Sequence, residues 1–444
     1  MNTRTMLTLA MCVATATAAR DAAAQVQAMT RVSVATGGAQ GNGRSEVPAL
    51  SADGRFVAFY SDASNLVPDD TNHAGDIFIH DRQTQQTVRV SVATGGVQGN
   101  FWSQEVAHQA PNISADGRFV AFHSYASNLV PGDTNNVDDI FIHDRETTQT
   151  VRVSVASNGA QANARSRYHA MSADGRFIAF SSDASNLDPV DSNFATDVFV
   201  HDCLTGQTSL MSVTMDGAQS AGYSGENGVA LSGNGRFVVF VSPAQVMIPE
   251  PANFWSQVVV HDRQSGQTSV ASVVGDATTA DSGSAFPAVS FDGRFIAFQS
   301  GATNFIPGDV PMDSDIFVRD RRWGTTQIIS IAPGFSPGNG DSYTPVISAD
   351  GSIVVFASAA ANLVPGDTNN GVDVFAAYRG PSPLGCSGDA DGSYDVGLSD
   401  VAFLIRHWTE SRPIAPAEAD LDGSGSIGLG DVAIVLQEWA TVCP

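Results

Sequence analysis

Short apolar runs, each set off by a polar turn, recur along most of this chain. The fullest copy spans Ile113–Arg145: a Ser-x-Asp-Gly turn, the run Phe119–Phe122, a polar loop, then the run Ile140–Ile142. The turn opens at Ser51, Ser114, Ser172, Ser232, Ser290 and Ser348. Its third residues (Asp53, Asp116, Asp174, Asn234, Asp292 and Asp350) follow one another at steps of 63, 58, 60, 58 and 58. A fixed period of that size marks a repeat architecture, in which each unit buries its apolar faces against its neighbours.

The pattern predicts four strands per repeat. A short first strand ends at the turn, as in Pro111–Ser114. Asp-Gly between apolar runs signals a hairpin, because glycine accepts the positive φ of a tight turn. The second strand is Phe56–Phe59, Phe119–Phe122, Phe177–Phe180, Phe237–Phe240, Phe295–Phe298 or Ile353–Phe356. It is apolar at every position, as expected of a small sheet stacked between two others. The third is Asp76–His80, Asp139–His143, Asp197–His201, Gln257–His261, Asp315–Arg319 or Asp373–Ala377. Fourth strands follow five repeats, at Val88–Val92, Val151–Val155, Ser209–Val213, Ser269–Val273 and Gln327–Ile331. The sixth repeat has none, but a spare one, Arg31–Val34, precedes the first. The balance predicts that Arg31–Val34 closes a ring by completing the last sheet. A linear stack would leave exposed edges at both ends. The expected fold is all-β, a six-bladed β-propeller over residues 30–379 closed by an N-terminal strand.

Past the Pro/Gly-rich linker 380–385 the pattern changes to two acidic loops, each followed by apolar residues at helical spacing. The first loop places Asp389, Asp391, Ser393, Asp395 and Asp400, and the second Asp420, Asp422, Ser424, Ser426 and Asp431. Calcium takes six or more oxygens, and a twelve-residue loop can wrap it. Positions one, three, five and twelve would give side-chain oxygens here, with the seventh-position carbonyls of Asp395 and Ser426. These ten residues are the expected metal site, and calcium the expected ion. The alternative is a small acidic helical hairpin without metal. Cys386 and Cys443 bracket the segment and are expected to pair.

Two resemblances rest on these residues. The repeats resemble the TolB-like (WD40-like) β-propeller repeat, with its Pro-x-x-Ser-x-Asp-Gly-[Lys/Arg] turn, aromatic-apolar strand and following Asp-x-[Phe/Tyr] strand, over about Thr30–Arg379. The fourth repeat departs most, with Gly233-Asn234-Gly235 at the turn and Gln257 opening the third strand. Such repeats accompany many activities, so the resemblance implies fold more than function. Residues 386–444 resemble a type I dockerin, a small α-helical EF-hand-like domain with duplicated calcium loops. That resemblance implies docking onto a cohesin-type partner or another extracellular scaffold. Two features depart from it: Tyr394 stands where the second loop has Gly425, and Leu398-Ser399 and Leu429-Gly430 replace the family's hydroxyl recognition pairs.

Charge and composition narrow the setting. Only 15% of residues are charged, yet the formal net charge is -24. Such a surface repels nucleic acid and anionic membranes. Residues 1–24 read as a signal peptide, with Arg4, the apolar run Met6–Ala18 and a small-residue site at Ala22–Ala24. No segment reaches membrane-spanning length. The expected location is extracellular, secreted or cell-surface, with the periplasm as the alternative. Cys203 is left over, at a position where other repeats carry Arg82, Arg145 or Arg263.

Three further sets of residues could carry chemistry. Loops between second and third strands hold Asp70, Asn72, Asp76 and their counterparts, such as Asp133, Asn135, Asp139 and Asp191, Asn193, Asp197. These could hold cations or cap their own backbone. His80, His143, His201 and His261 end the third strand before an Asp, and a His-Asp-Arg turn bonding to Asp-Gly-Arg accounts for them better than metal. The long loops share one face and carry Trp102, Tyr168, Tyr223, Trp255, Phe286 and Tyr343 beside amides. Such aromatics suit sugar rings, and also suit packing between blades. No nucleophile motif or carboxylate pair stands out, so no catalytic residue is named. The expected function is a secreted binding or display protein, its propeller recognising a glycan or protein and its tail attaching to a scaffold. The alternative is a polysaccharide-degrading hydrolase or lyase, which an unrepeated acidic, His or Tyr cluster at the channel mouth would favour.

Overall fold

The computed structural model describes residues 30–103, 109–243, 255–274, 278–305, 313–333, 336–369 and 371–379. The chain divides into two units, Met1–Val32 and Ser33–Pro444, and every described strand lies in the second. The signal peptide, linker, calcium loops and Cys386–Cys443 pair of the sequence reading lie outside the described residues.

Six antiparallel sheets follow the six repeats in chain order, five with four strands and the last with three. In blade 1, strands a to d are Ser45–Leu50, Phe56–Ser61, Asp76–Asp81 and Gln86–Arg89, paired a-b-c-d. Blade 2 has Asn112–Ile113, Phe119–Ser124, Asp139–Asp144 and Gln149–Arg152. Blade 3 has Ser166–Met171, Phe177–Ser182, Asp197–Asp202 and Gln207–Leu210. Successive a strands touch one another from blade 1 through blade 6, so they converge on the middle of the six-bladed propeller.

Strands b and c are buried on both faces because each blade is sandwiched. Phe56, Ala58 and Tyr60 of blade 1 pack against Val120, Phe122 and Phe141 of blade 2. The opposite face of blade 2, with Ala121, Ile140 and Ile142, packs against Ile178, Phe180 and Phe199 of blade 3. Each fully buried Phe contributes about 2–3 kcal/mol.

The Ser-x-Asp-Gly turn explains its own recurrence. Ser51 Oγ donates to Asp53 Oδ1 (2.6 Å) and accepts from Phe56 N, while Gly54 N donates to Ser51 O. Arg55 then forms a bidentate pair with Asp81, at 3.0 and 2.6 Å. The pair recurs as Arg118–Asp144, Arg176–Asp202, Arg236–Asp262 and Arg294–Asp320. Turns also link blade to blade: Ala52 N donates to Ala115 O, Ala115 N to Ala173 O, Ala173 N to Gly233 O and Phe291 N to Ala349 O.

The fourth strand ends earlier than its apolar pattern predicts. In blade 1 it is Gln86–Arg89, not Val88–Val92. Ser91 Oγ donates to Asp76 Oδ1 (2.5 Å) and accepts from Ile77 N, which turns the chain out of the ladder. Val92 then bridges Gln98, and its carbonyl accepts from Thr150 Oγ1 of the next blade. Val34 copies Val92: it bridges Gln40 and accepts from Thr87 Oγ1. Arg31–Val34 therefore aligns with Arg89–Val92, the segment that leaves a blade, rather than with a strand d. The residues that would match Gln86–Arg89 begin before Thr30, so closure of the ring falls partly outside the described residues. Among the described residues the sixth sheet holds only Ser342–Ile347, Ile353–Ser358 and Asp373–Tyr378.

In blades 2, 4 and 5 the arginine just past strand c bridges two blades. Arg145 Nη1 donates to Gly117 O and its guanidinium lies 4.2 Å from the Phe56 ring centroid. Arg263 does the same with Gly235 O and Phe177, and Arg321 with Gly293 O and Phe237. Cys203 occupies this position in blade 3 as an exposed free thiol. Replacing Cys203 by arginine restores the reach to Gly175 O and Phe119. The expected gain is about 0.5–1.5 kcal/mol, read as a higher denaturation midpoint in urea.

Candidate ligand-binding face

The long loops and the bonded ends of strands a, b and c share one face, as Ser45 opposite Ser61 and Ser61 opposite Asp76 place them. Much of the polar surface there serves the fold. Asn42 N donates to Asn65 Oδ1 and Asn65 Nδ2 to Gln40 O, tying two loops together, and the first bond recurs at Asn100–Asn128, Asn163–Asn186 and Asn339–Asn362. The amides that suit sugar in sequence are thus committed to loop closure.

The Asp-x-Asn loops are structural as well. Asn72 Nδ2 donates to Asp76 Oδ2 and to Gly99 O. Arg89 Nη1 lies 3.1 Å from Asp76 and 3.5 Å from Asp70, and Arg152 repeats this with Asp139 and Asp133. Burial pushes the Asp76 carboxyl up to about 6. Among the described residues no group of three or more His, Cys, Asp or Glu is arranged to hold a metal ion. The strand-end histidines are likewise spoken for: His80 Nδ1 bonds Thr87 Oγ1 (2.8 Å), and His143, His201 and His261 repeat it with Thr150, Thr208 and Thr268. Arg319 replaces them in blade 5 by donating to Gly324 O and Thr326 Oγ1.

What breaks the repeat is more informative. In blade 1, Arg44 Nε donates to Asp62 Oδ2 (3.2 Å), and in blade 3 Arg165 Nε donates to Asp183 Oδ2 (2.5 Å). Blade 2 has Trp102 and Tyr125 at these two positions, joined by the same backbone bond, Tyr125 N to Trp102 O. Their rings lie 5.7 Å apart, and Phe101 packs on both at 3.9 and 5.1 Å. Phe101 is 38% exposed. An aromatic platform thus stands where the neighbouring blades carry ion pairs.

Beside it the a strands carry a recurrent bulge. Val47, Tyr168, Phe286 and Thr344 hold positive φ of 46°, 40°, 51° and 52° at equivalent places. The register slips at these points between strands a and b. Bulges re-aim side chains at sheet rims, and positive φ at branched or bulky residues marks strain held by its surroundings. At two of them the backbone N–H is tied to the preceding blade: Tyr168 N donates to Gln109 Oε1 and Phe286 N to Asn227 O. Tyr168 lines a cleft of about 270 Å³ with Arg165, Arg167, Asp183, Glu226 and Asn227. Arg167 also pairs with Asp138 at 2.8 Å. A larger groove of about 730 Å³ on the outer side, between blades 1 and 2, is lined mostly by repeat residues such as Arg89, Gln98 and Arg145.

At the seam between blades 2 and 3, His123 and His169 are both buried, with ring centroids 5.9 Å apart. Burial pushes each imidazole down to about 3. Sequence reading passed over both, and the signal was available: His123 stands where other repeats have Tyr60, Ser181, Val241, Gln299 or Ala357, and His169 where four have Pro48, Pro111, Pro287 or Pro345.

The metal residues of the sequence reading (Asp389, Asp391, Ser393, Asp395, Asp400, Asp420, Asp422, Ser424, Ser426 and Asp431) lie outside the described residues. Of the predicted loop aromatics, Trp102 and Tyr168 belong to the platform and cleft, and Phe286 and Tyr343 lie on strands a of blades 5 and 6. Tyr223 and Trp255 are exposed, at 59% and 53%.

No family model matches the chain, and no curated protein does. Solved structures do. A putative TolB from Agrobacterium tumefaciens is 13% identical, with a TM-score of 0.40, over 76% of this chain and 90% of its own. The β-propeller domain of the Trilobed protease from Pyrococcus furiosus, described as having an open velcro topology, is 13% identical, with a TM-score of 0.45, over 75% and 80%. The six-bladed fold stands on the sheets described above, and the activities of those proteins are theirs. Among the described residues no helix is long and apolar enough to cross a membrane.

Proposed function

We propose that this is an exported glycan-binding protein. Its propeller takes a neutral polysaccharide on the long-loop face, and its C-terminal module binds calcium and attaches the protein to an extracellular scaffold. The observation that carries the first half is the substitution of Trp102, Tyr125 and Phe101 for an ion pair found in both neighbouring blades. Flat aromatic rings take the apolar faces of sugars, and the adjacent cleft supplies Arg167, Tyr168, Glu226 and Asn227 for hydroxyl groups. A net charge of -24 disfavours polyanionic ligands at low salt. The second half rests on the paired acidic loops and the dockerin resemblance.

The test is a pull-down with the full chain on neutral polysaccharide beads and, separately, on secreted proteins, with calcium or a chelator. Trp102→Ala should lower polysaccharide retention roughly tenfold or more, by analogy with aromatic anchors at interfaces, without changing the calcium-dependent capture. Chelation should release the secreted partner and spare the polysaccharide. Equal retention of Trp102→Ala and wild type would remove the glycan site.

One observation favours the enzyme reading, a polysaccharide hydrolase or lyase: Tyr168 and Glu226, an unrepeated phenol and carboxylate, line one cleft. Release of soluble sugar from dyed polysaccharide by wild type, and its loss in Glu226→Gln, would move the assignment to that reading.

A further inference from the structure

The seam between blades 2 and 3 holds a polar defect in an otherwise apolar wall. Ala121, Ile140 and Ile142 of blade 2 pack there against Ile178, Phe180 and Phe199 of blade 3. His123, on strand b of blade 2, faces the same neighbour and is 1% exposed, and His169, on strand a of blade 3, is 4% exposed. Among the described residues, neither ring nitrogen of His123 has a hydrogen-bond partner, and Nε2 of His169 has none. An orphaned buried imidazole nitrogen costs about 1–3 kcal/mol. A repeat protein had simple alternatives at both positions: proline at the second, and serine, valine or alanine at the first. Both departures occur together, at two positions in contact.

We infer that His123 and His169 form a two-histidine site for a first-row transition-metal ion of the zinc or copper class. The tautomers fit. His169 Nδ1 lies 2.7 Å from Asn112 Oδ1, an acceptor, so Nδ1 carries the proton and Nε2 presents its lone pair. A carboxylate or carbonyl oxygen on the other imidazole nitrogen is the usual orienting partner of a metal-binding histidine, and the Asn112 amide oxygen stands in that place. The spacing fits too. Two imidazoles on one ion at about 2.0–2.1 Å from nitrogen to metal place their ring centroids on the order of 5–6 Å apart, against 5.9 Å here. Imidazole nitrogen selects zinc, copper or nickel over calcium and magnesium, so this site would be chemically separate from the acidic C-terminal loops. Asn112 is a positioning residue. Arg167 stands near His123, and its charge is balanced by Asp138 at 2.8 Å.

The test uses the full chain in excess calcium, titrated with Zn2+ alone and with Cu2+ alone. Calorimetry reads the stoichiometry, and electron paramagnetic resonance of the copper form reads the nitrogen ligands. The comparison variant carries His123→Gln and His169→Pro, each a residue this chain already uses at the equivalent place, with its fold checked by thermal denaturation. One equivalent of metal, with the hyperfine pattern of two imidazole nitrogens, should be present in wild type and absent in the double variant. Asn112→Ala should weaken it about 10–100-fold. Metal uptake and spectra that are the same in wild type and double variant would overturn the site and leave the two rings bridged by buried water. Should the double variant lose its fold, Asn112→Ala and single His123→Gln decide the question by the same two readouts.

Discussion

Gly117→Ala will destabilise the propeller by several kcal/mol, whereas Gly54→Ala, the same change in the same turn one blade earlier, will cost far less. Both glycines hold positive φ, 74° and 70°. An alanine there carries a backbone penalty of about 1–2 kcal/mol in either blade. The difference lies in what the added methyl meets. At Gly117 it would stand 2.2 Å from Cδ2 of Phe56 in the preceding blade; at Gly54 the nearest atom is the end of Arg82, 3.7 Å away. The Phe56 ring cannot retreat. Arg55 and Arg145 lie over it at 4.6 and 4.2 Å, and it belongs to the core between blades 1 and 2. Overpacking such a site adds about 1–3 kcal/mol, for a total of about 2–5 kcal/mol. Gly175, Gly235, Gly293 and Gly351 repeat the contact with Phe119, Phe177, Phe237 and Phe295. Urea denaturation of the two single variants and of Gly117→Ala with Phe56→Leu checks this. The smaller Leu should recover much of the steric part in the double variant. Equal losses at Gly54 and Gly117 would refute the interlocking of turn and ring.

Between pH 4 and pH 6 the Asp197 carboxyl contributes stability that is lost as the pH rises, while the buried His123 and His169 contribute in the opposite direction, and Asp197→Asn will remove the first of these alone. Burial pushes the Asp197 carboxyl up to about 6. Blades 1 and 2 answer the equivalent carboxylates with Arg89 and Arg152; blade 3 has Leu210 there, and Gln219 Nε2 instead donates to Asp197 Oδ2 and Asp191 Oδ1. A group whose pKa is higher folded than unfolded binds its proton more tightly in the native state. Its contribution is complete below the unfolded value near 3.9 and is lost as the pH rises through about 6. Two units correspond to about 2–3 kcal/mol for Asp197 at most, and Asp76 acts in the same window. Folding free energy of wild type and Asp197→Asn at pH 4 and pH 7 gives the comparison. A pH difference unchanged in the variant would show that Asp197 is not the group responsible.

Most of the fold was legible because its parts are local. The Ser-x-Asp-Gly turn closes on itself within a few residues, so Ser51, Asp53 and Gly54 announce it wherever they recur. Strands b and c were found within a residue or two of their ends, since a doubly buried strand must be apolar throughout. Strand d was misplaced by two residues. Val90 and Val92 continue the alternation of a strand, but Ser91 binds Asp76 across the sheet and takes the backbone out. Nothing in the local pattern marks that choice.

The amino-acid order by itself settled the number of repeats, the turn chemistry, the doubly apolar strands and the Arg-Asp pairs that staple five of the blades, because all of these act inside one repeat. Only the tertiary structure decided which exceptions to the repeat meet. Trp102 finds Tyr125 across a blade, and His169 finds His123 across a seam. Packing selects those partners, and a position's neighbours on the next blade leave no trace in the periodicity of its own segment.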